Sequence, residues 1–336
     1  MKVLIAGGAG YIGATIASAL LDAGDVPVIL DDLSTGRAEF TSGRVFYRGD
    51  IADPALVARI FAEHPDITAA VHCAAKIVVP ESVADPIGYY DANVVKSLAF
   101  VRSLVAAGCR SLIFSSSASV YAQSPQLCVD EDAPLAPQSP YAASKAICER
   151  IFADVSVSAP LRVLSLRYFN PIGADPRLRT GLALAEPTHA LGRILSTHRD
   201  GGSFVIAGDD YPTRDGTGLR DYIHVWDLAQ AHVAALHRFD PALAGRRHGV
   251  LNVGTGRGTT VWELVAAFNR VSATPVAVTV GPRRPGDIAG AYALVQRAER
   301  ALDWRASASI DDAIRDALAW QQLLPQRLGG ARCRQP

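Results

Sequence analysis

The chain has 336 residues, of which 49% are hydrophobic and 20% charged, enough apolar material for a sizeable core and for about two domains. Lysine plus arginine balances aspartate plus glutamate at 33 each, so no overall basic field exists to hold nucleic acid or an anionic membrane surface. The five cysteines, Cys73, Cys109, Cys128, Cys148 and Cys333, are widely separated, with no C-x-x-C pair and no metal-ligand spacing with histidine. Reduced, mostly buried thiols and no metal site are expected.

Met1 to Asp32 reads as strand, phosphate loop, helix, strand. Val3 to Ala6 is apolar and β-branched enough for a buried strand, and Tyr11 to Ala23 has the length and alanines of a helix packed on a sheet. Between them Gly7, Gly10 and Gly13 are spaced G-x-x-G-x-x-G, which lets the backbone turn tightly, approach a pyrophosphate without a Cβ, and bring the helix close to the strand. The helix N-terminus then offers N–H groups and positive dipole to an anion. Asp31, eighteen residues after Gly13, would accept hydrogen bonds from a ribose diol and repel a 2′-phosphate, and Asp32 adds negative charge in place of an arginine. NAD is therefore favoured over NADP. Val3 to Leu21 lacks any charge and superficially suits a membrane span or a signal peptide, but its four glycines weaken both readings. The protein is expected in the cytoplasm.

Strand-like runs recur at Val28 to Asp31, Val45 to Tyr47, Ala69 to Cys73, Ser111 to Ser115 and Arg162 to Leu166. Helices are expected over Pro54 to Glu63, Pro86 to Ala107 and Pro140 to Ser156, each opening with proline where its missing N–H costs nothing. This alternation predicts an α/β fold, a Rossmann-type doubly wound parallel sheet over residues 1–170. Denser turns from Pro171 predict a smaller C-terminal α/β substrate-binding region over 171–325, parts of which return to the sheet, with helices near Val225 to His237, Val261 to Val271 and Ile310 to Leu323; residues 326–336 form a polar tail.

Tyr141 and Lys145 stand four apart in the third of these helices, hence on one face. A phenol with a pKa of about 10 must fall roughly three units to act as a base near neutrality, about 4 kcal/mol, and one charge about 4 Å away at an effective dielectric near 20 contributes that order. Ser115, Ser116 and Ser117 close the fifth strand at the carboxyl edge of the sheet, where ligands of such sheets bind. A serine there can hydrogen-bond a substrate hydroxyl and the tyrosine.

With these residues in place the chain resembles the short-chain dehydrogenase/reductase superfamily in its extended form, and within it the UDP-glucose (UDP-galactose) 4-epimerase family, from Met1 to about Leu324. The segments that carry the resemblance include Gly7 to Gly13, His72-Cys73-Ala74-Ala75, Tyr89-Tyr90-Asp91-Ala92-Asn93, Ser115 to Tyr121, Pro137 to Tyr141, Arg167 to Pro171, Gly208 to Thr213 and Arg220 to Val225. The resemblance implies catalysis by Ser117, Tyr141 and Lys145, with Ser117 and Tyr141 at the sugar, Tyr141 as base, and Lys145 on the nicotinamide ribose. It implies NAD contacts at Gly7, Gly10, Tyr11, Ile12, Gly13, Asp31, Asp32, Leu33, Ser34, Thr35, Gly36, Asp50, Ile51, Cys73, Ala74, Ala75, Lys76, Ile77, Asn93 and Phe169. It implies that the UDP-sugar meets Asn170, His189, Val205, Ile206, Ala207, Arg220, Arg284, Asp287 and Ala291. The reaction implied is NAD-dependent inversion of C4 of a UDP-hexose through a transient 4-keto sugar, by a homodimer packed through Pro86–Ala107 and Pro140–Ser156.

Three segments depart from the family pattern. Ala75 and Ile77 stand where glycine or lysine is usual, with Lys76 one place early; Glu186 to Gly192 is one residue short and lacks a usual proline; and Ala291 puts a small side chain where the hexose pocket is lined. The last would leave room for an N-acetyl group, so a UDP-GlcNAc/UDP-GalNAc epimerase or an epimerase of another UDP-sugar stands as the alternative. A nucleotide-sugar dehydratase would need an extra acid/base pair where this chain has serines, and a catalytically silent NAD-binding protein would not need Ser117, Tyr141 and Lys145.

Overall fold

In a computed structural model that describes residues 1–184, 186–284 and 288–327, seven parallel strands form one sheet. Their order from one edge is His248–Val253, Arg162–Tyr168, Ser111–Ser117, Ile67–His72, Lys2–Ala6, Val26–Asp31 and Val45–Arg48. Both faces are covered, which is why the strands read as unbroken apolar runs. Alternate residues serve opposite layers: Val3 and Ile5 pack with Ile16 and Leu20 of the first helix and with Leu228 and Ala231, while Leu4 and Ala6 pack with Val57 and Ile60 and with Phe100 and Phe152. The strand order reverses at Lys2–Ala6, whose neighbours are the second and fourth strands, so the crevice of the fold opens beyond Ala6 and His72.

Helices Tyr11–Asp22, Pro54–Glu63, Val225–His237 and Val261–Val271 stand where the sequence places them. The expected helix over Pro86–Ala107 is instead three joined pieces: an α-helical Pro86–Tyr90, a π-helical turn Asp91–Val95 and an α-helical Lys96–Ala106. The wider turn coincides with Asn93, whose amide bonds outward to other segments. Sequence periodicity also misses the short helices Val79–Ala84, Phe239–Leu243 and Gln296–Leu302.

The two halves of the chain interlace. His248–Val253 supplies the edge strand beside Arg162–Tyr168, and Cys128–Val129 pairs with Gly290–Ala293 in a small four-stranded sheet that also holds Leu219–Arg220 and Thr259–Thr260. A second core, around Leu191, Ile194, Phe204, Ile206, Leu264, Phe268 and Ile314, fills the C-terminal region. Cys73, Cys109, Cys128 and Cys148 are free thiols; among the described residues no cluster suits a metal ion and no helix is long and apolar enough to cross a membrane.

Candidate active site

The phosphate loop is built on contacts that only glycine tolerates. A Cβ on Gly13 would lie 2.2 Å from the Gly7 carbonyl oxygen, and one on Gly7, whose φ is +80°, would lie 2.6 Å from the Ala74 nitrogen. Gly10 differs: an added Cβ would find nothing nearer than the Gly7 oxygen at 3.5 Å, so the space above the helix start is open. Gly10 is the N-cap and gives no side-chain cap, which leaves the first N–H groups of Tyr11–Asp22 facing that space. Such a cradle fits a pyrophosphate. Tyr11 points elsewhere, its hydroxyl donating to the Gly173 carbonyl at 2.7 Å.

Asp31 ends the second strand and is 7% exposed. Its carboxylate accepts from the Ala9 and Leu33 amides at 2.9 and 2.8 Å, burial pushes its pKa up, and Gly36 passes so close that a Cβ there would lie 2.6 Å from Oδ1. Asp32 accepts from the Ser34 amide at 2.8 Å; Leu33 takes a φ of +64°, and Ser34 and Thr35 are exposed beside it. Asp50 is paired with Lys96 at 2.5 Å, next to buried Ile51. Across the crevice Cys73 to Ile77 leave the fourth strand. Asn93 clasps this loop by accepting from the Lys76 amide at 2.8 Å and donating to its carbonyl at 2.9 Å, and it donates to Ser144 at 3.0 Å. At 3% exposure Asn93 works through the loop backbone. Lys76 sends its ammonium outward over Tyr89 toward Asp85, Ile77 is exposed, Ala75 is half-buried, and Ala74 lies against Gly7.

The helix Pro140–Ser158 is capped by Ser139 and carries Tyr141 and Lys145 on its buried face. Lys145 donates to the Ser115 carbonyl at 2.9 Å and lies 4.9 Å from the Phe114 ring centroid. Burial pushes its pKa down, against the pull of Cys148, Cys73 and Glu149. The Ser117 side chain beside Tyr141 draws its pKa down, but burial is the larger effect and pushes the phenol up. The expected fall of the Tyr141 pKa is therefore not achieved by protein groups alone: the ammonium is turned toward a backbone carbonyl, and desolvation of the phenolate outweighs Ser117. Ser117 also holds Ser119 at 2.9 Å, and Phe169 lies buried beside Val120 and Tyr121.

The residues expected at the nucleotide and sugar come from separate elements. Asn170 begins a short strand that pairs with Tyr222–His224, its amide donating to the Asp221 carbonyl. Arg220 is the ladder partner of Ala291, which is half-buried against the cluster holding Val120 and Phe169. Val205, Ile206 and Ala207 run parallel to Ala277–Gly281, with Val205 exposed and Ile206 buried. His189 caps the helix Ala190–Asp200: its Nδ1 accepts from the Gly192 amide at 3.1 Å, while its buried Nε2 has no partner among the described residues. Burial holds His189 neutral, down to about 4, so with Nδ1 accepting, Nε2 carries the proton and is an unused donor. Arg193, one turn on, has its pKa lowered by burial and by the neighbouring cation of Arg284. Sequence reasoning missed Arg193; the signal was a lone arginine in the first turn of a helix, which by itself means nothing. Asp287 lies outside the described residues.

The profile of the NAD dependent epimerase/dehydratase family matches residues 3–254. The UDP-glucose 4-epimerase of Azospirillum brasilense is 41% identical over 338 residues, 98% of this chain and 94% of its own. A UDP-glucose 4-epimerase from Stenotrophomonas maltophila, solved with NAD and formylated UDP-arabinopyranose, superposes with a TM-score of 0.92 at 38% identity and covers 97% of this chain and 99% of its own. One from Bifidobacterium longum, solved with NAD+ and UDP, gives 0.89 at 35% identity over 97% and 100%. Phosphate loop, strand-end serines and Tyr-x-x-x-Lys helix thus occur in a chain that belongs to the NAD-dependent epimerase/dehydratase family.

Proposed function

We propose that this chain inverts C4 of UDP-galactose and UDP-glucose with resident NAD, passing through a 4-keto sugar, and that Ser117, Tyr141 and Lys145 carry the chemistry. The observation that carries this reading is the seating of Tyr141 and Lys145 on the buried face of one helix against the serine strand end, with Lys145 donating to the Ser115 carbonyl and Ser117 beside the Tyr141 phenol. NAD, when bound, supplies the hydride acceptor and donor for C4 and a positive charge beside the phenol. Tyr141, as phenolate, takes the proton of the sugar 4-hydroxyl and returns it after the ring has turned over. Ser117 steadies the phenolate with its one hydroxyl proton and turns that donation to the sugar oxygen once Tyr141 is protonated. Gly10 and the amides of Tyr11, Ile12 and Gly13 face the pyrophosphate, and Asp31 takes the ribose hydroxyls with Asp32 to Gly36 beside it. Asp50, Ile51 and the Cys73 to Ile77 loop close the cofactor site, Asn93 acting by holding that loop. On the substrate, Arg220, Arg284 and Arg193 converge cations on the diphosphate. His189 Nε2 donates to the base, near Val205–Ala207, Asn170 meets the UDP portion, and Phe169 lies on the NAD side.

Ala291 supports a broader specificity. Its short side chain sits in the ladder next to Arg220, while Tyr292 pairs with Cys128 and projects toward Gly258, on the other face of the strand. Room beside the hexose accommodates an N-acetyl group at C2. Elimination chemistry is disfavoured because Ser115, Ser116 and Ser117 occupy the strand end.

A homodimer in the cytoplasm is part of the same reading. Ile87 is 82% exposed and Val95 57%, and Leu98 and Ile147 are exposed with them on the two helical segments expected at the interface. The free thiols suit a reducing compartment.

Proton NMR of the purified protein with UDP-galactose and no added NAD tests the proposal. Appearance of UDP-glucose is expected, and UDP-GalNAc run in parallel is expected to give UDP-GlcNAc. No turnover of UDP-galactose even with added NAD sinks the activity; turnover of UDP-galactose alone sinks the breadth assigned to Ala291.

A further inference from the structure

Behind the reacting residues lies a buried polar network that the reaction itself does not call for. Glu149, 5% exposed, is one turn beyond Lys145 on the same helix. It accepts from Arg167 Nε at 2.9 Å and Nη2 at 2.6 Å, and from the Ser116 hydroxyl at 2.5 Å. Arg167, 4% exposed on the neighbouring strand, also donates to the Glu131 carbonyl at 3.3 Å and lies 4.8 Å from the Tyr121 ring centroid. The other titratable groups that feel Glu149 are His248, Tyr121 and, on its own helix, Lys145 and Cys148.

A buried ion pair is a poor source of stability, because desolvating both charges costs about as much as their attraction returns, and well-packed apolar residues often do as well. What this pair does achieve is geometric. Ser116 stands between Ser115, whose carbonyl holds Lys145, and Ser117, which lies beside Tyr141 and draws its pKa down. One carboxylate thus ties the helix that carries Tyr141 and Lys145 to the strand end that carries their partners.

Resting on the roles given above to Ser117, Tyr141 and Lys145, we propose that Glu149 is a positioning residue: through Ser116 and Arg167 it locks the strand end against the catalytic helix and so sets Lys145 and Ser117 relative to Tyr141. The carboxylate itself touches neither substrate nor cofactor.

The test compares Glu149→Gln, Ser116→Ala, Tyr141→Phe and, as a control, Ser156→Ala, which deletes a buried hydroxyl of the same helix bonded to the Ala153 carbonyl. Glu149→Gln is expected to lower kcat about 10²-fold, the effect of a displacement of about 1 Å, with KM for UDP-galactose nearly unchanged. It should also move the acid limb of the kcat–pH profile upward, since a displaced strand end no longer sets Ser117 against the phenolate. A purely electrostatic Glu149 would move that limb downward, because removing a negative charge eases ionisation of Tyr141. Ser116→Ala leaves the ion pair intact and is expected to lower kcat by about tenfold with the same sign of pH shift, so the proposal is testable even if Glu149→Gln does not fold. Ser156→Ala should match the wild type. Wild-type kcat and pH profile in Ser116→Ala, or a downward shift in Glu149→Gln, overturns the positioning role while an inactive Tyr141→Phe leaves the catalytic assignment standing. An active Tyr141→Phe overturns both.

Discussion

Lys145 donates to the Ser115 carbonyl at 2.9 Å, so the ammonium is held by the very strand whose last residue, Ser117, stands beside Tyr141 and draws its pKa down. Helix and strand end form one frame, and the chemistry of the phenol depends on both.

Ser117→Ala should raise the acid limb of the kcat–pH profile. Burial already pushes the Tyr141 pKa up, and the neighbouring Ser117 hydroxyl pulls it down. Removing it leaves less phenolate at neutral pH, and kcat at pH 7 is expected to fall roughly 10- to 10²-fold. A lost activity with an unmoved limb would show that Ser117 acts on the sugar alone.

Gly10→Ala and Gly13→Ala should separate cofactor binding from folding. A Cβ on Gly10 meets no atom nearer than 3.5 Å, so that variant should purify without NAD and melt where the NAD-stripped wild type does. A Cβ on Gly13 would lie 2.2 Å from the Gly7 oxygen, so that variant should lose both NAD and about 1–3 kcal/mol of stability. Released NAD, measured enzymatically after denaturation, and thermal melts decide between them.

Acid should unfold the protein through buried histidines. Burial lowers His72 to about 3 and His232 to about 4, so both are neutral when folded, whereas the unfolded chain takes up their protons below about 6.5. Their stability contribution is full above pH 6.5 and falls as pH drops toward 4, by up to about 1.4 kcal/mol per pH unit for each. His72→Phe, placed among Phe100, Phe114 and Phe152, should flatten the fall in Tm between pH 6.5 and 4.5. An equally steep fall would assign the acid sensitivity elsewhere.

Leu98→Glu combined with Ile147→Glu should halve the mass seen by light scattering, because both side chains are exposed on the helices proposed to pair. A monomeric wild type, or a variant of unchanged mass, would exclude this face as the interface.

The parts legible in the sequence are those whose cause lies within a few residues. Gly13 is required by the Gly7 carbonyl six residues before it, Tyr141 and Lys145 share a face because a helix repeats every 3.6 residues, and buried parallel strands are apolar throughout. The tertiary structure decided what depends on residues distant in the chain. His248–Val253 finds its place at the sheet edge only by pairing with Arg162–Tyr168, and Ala291, singled out in the sequence for its size, is set opposite Arg220 only by strand pairing. Arg193 becomes a candidate ligand because Arg284 stands near it, and Glu149 because Ser116 and Arg167 converge on it. The direction of the Tyr141 pKa followed the same division: i, i+4 spacing sets which groups share the helix face, but burial and the turn of Lys145 toward Ser115, neither visible in spacing, set the sign.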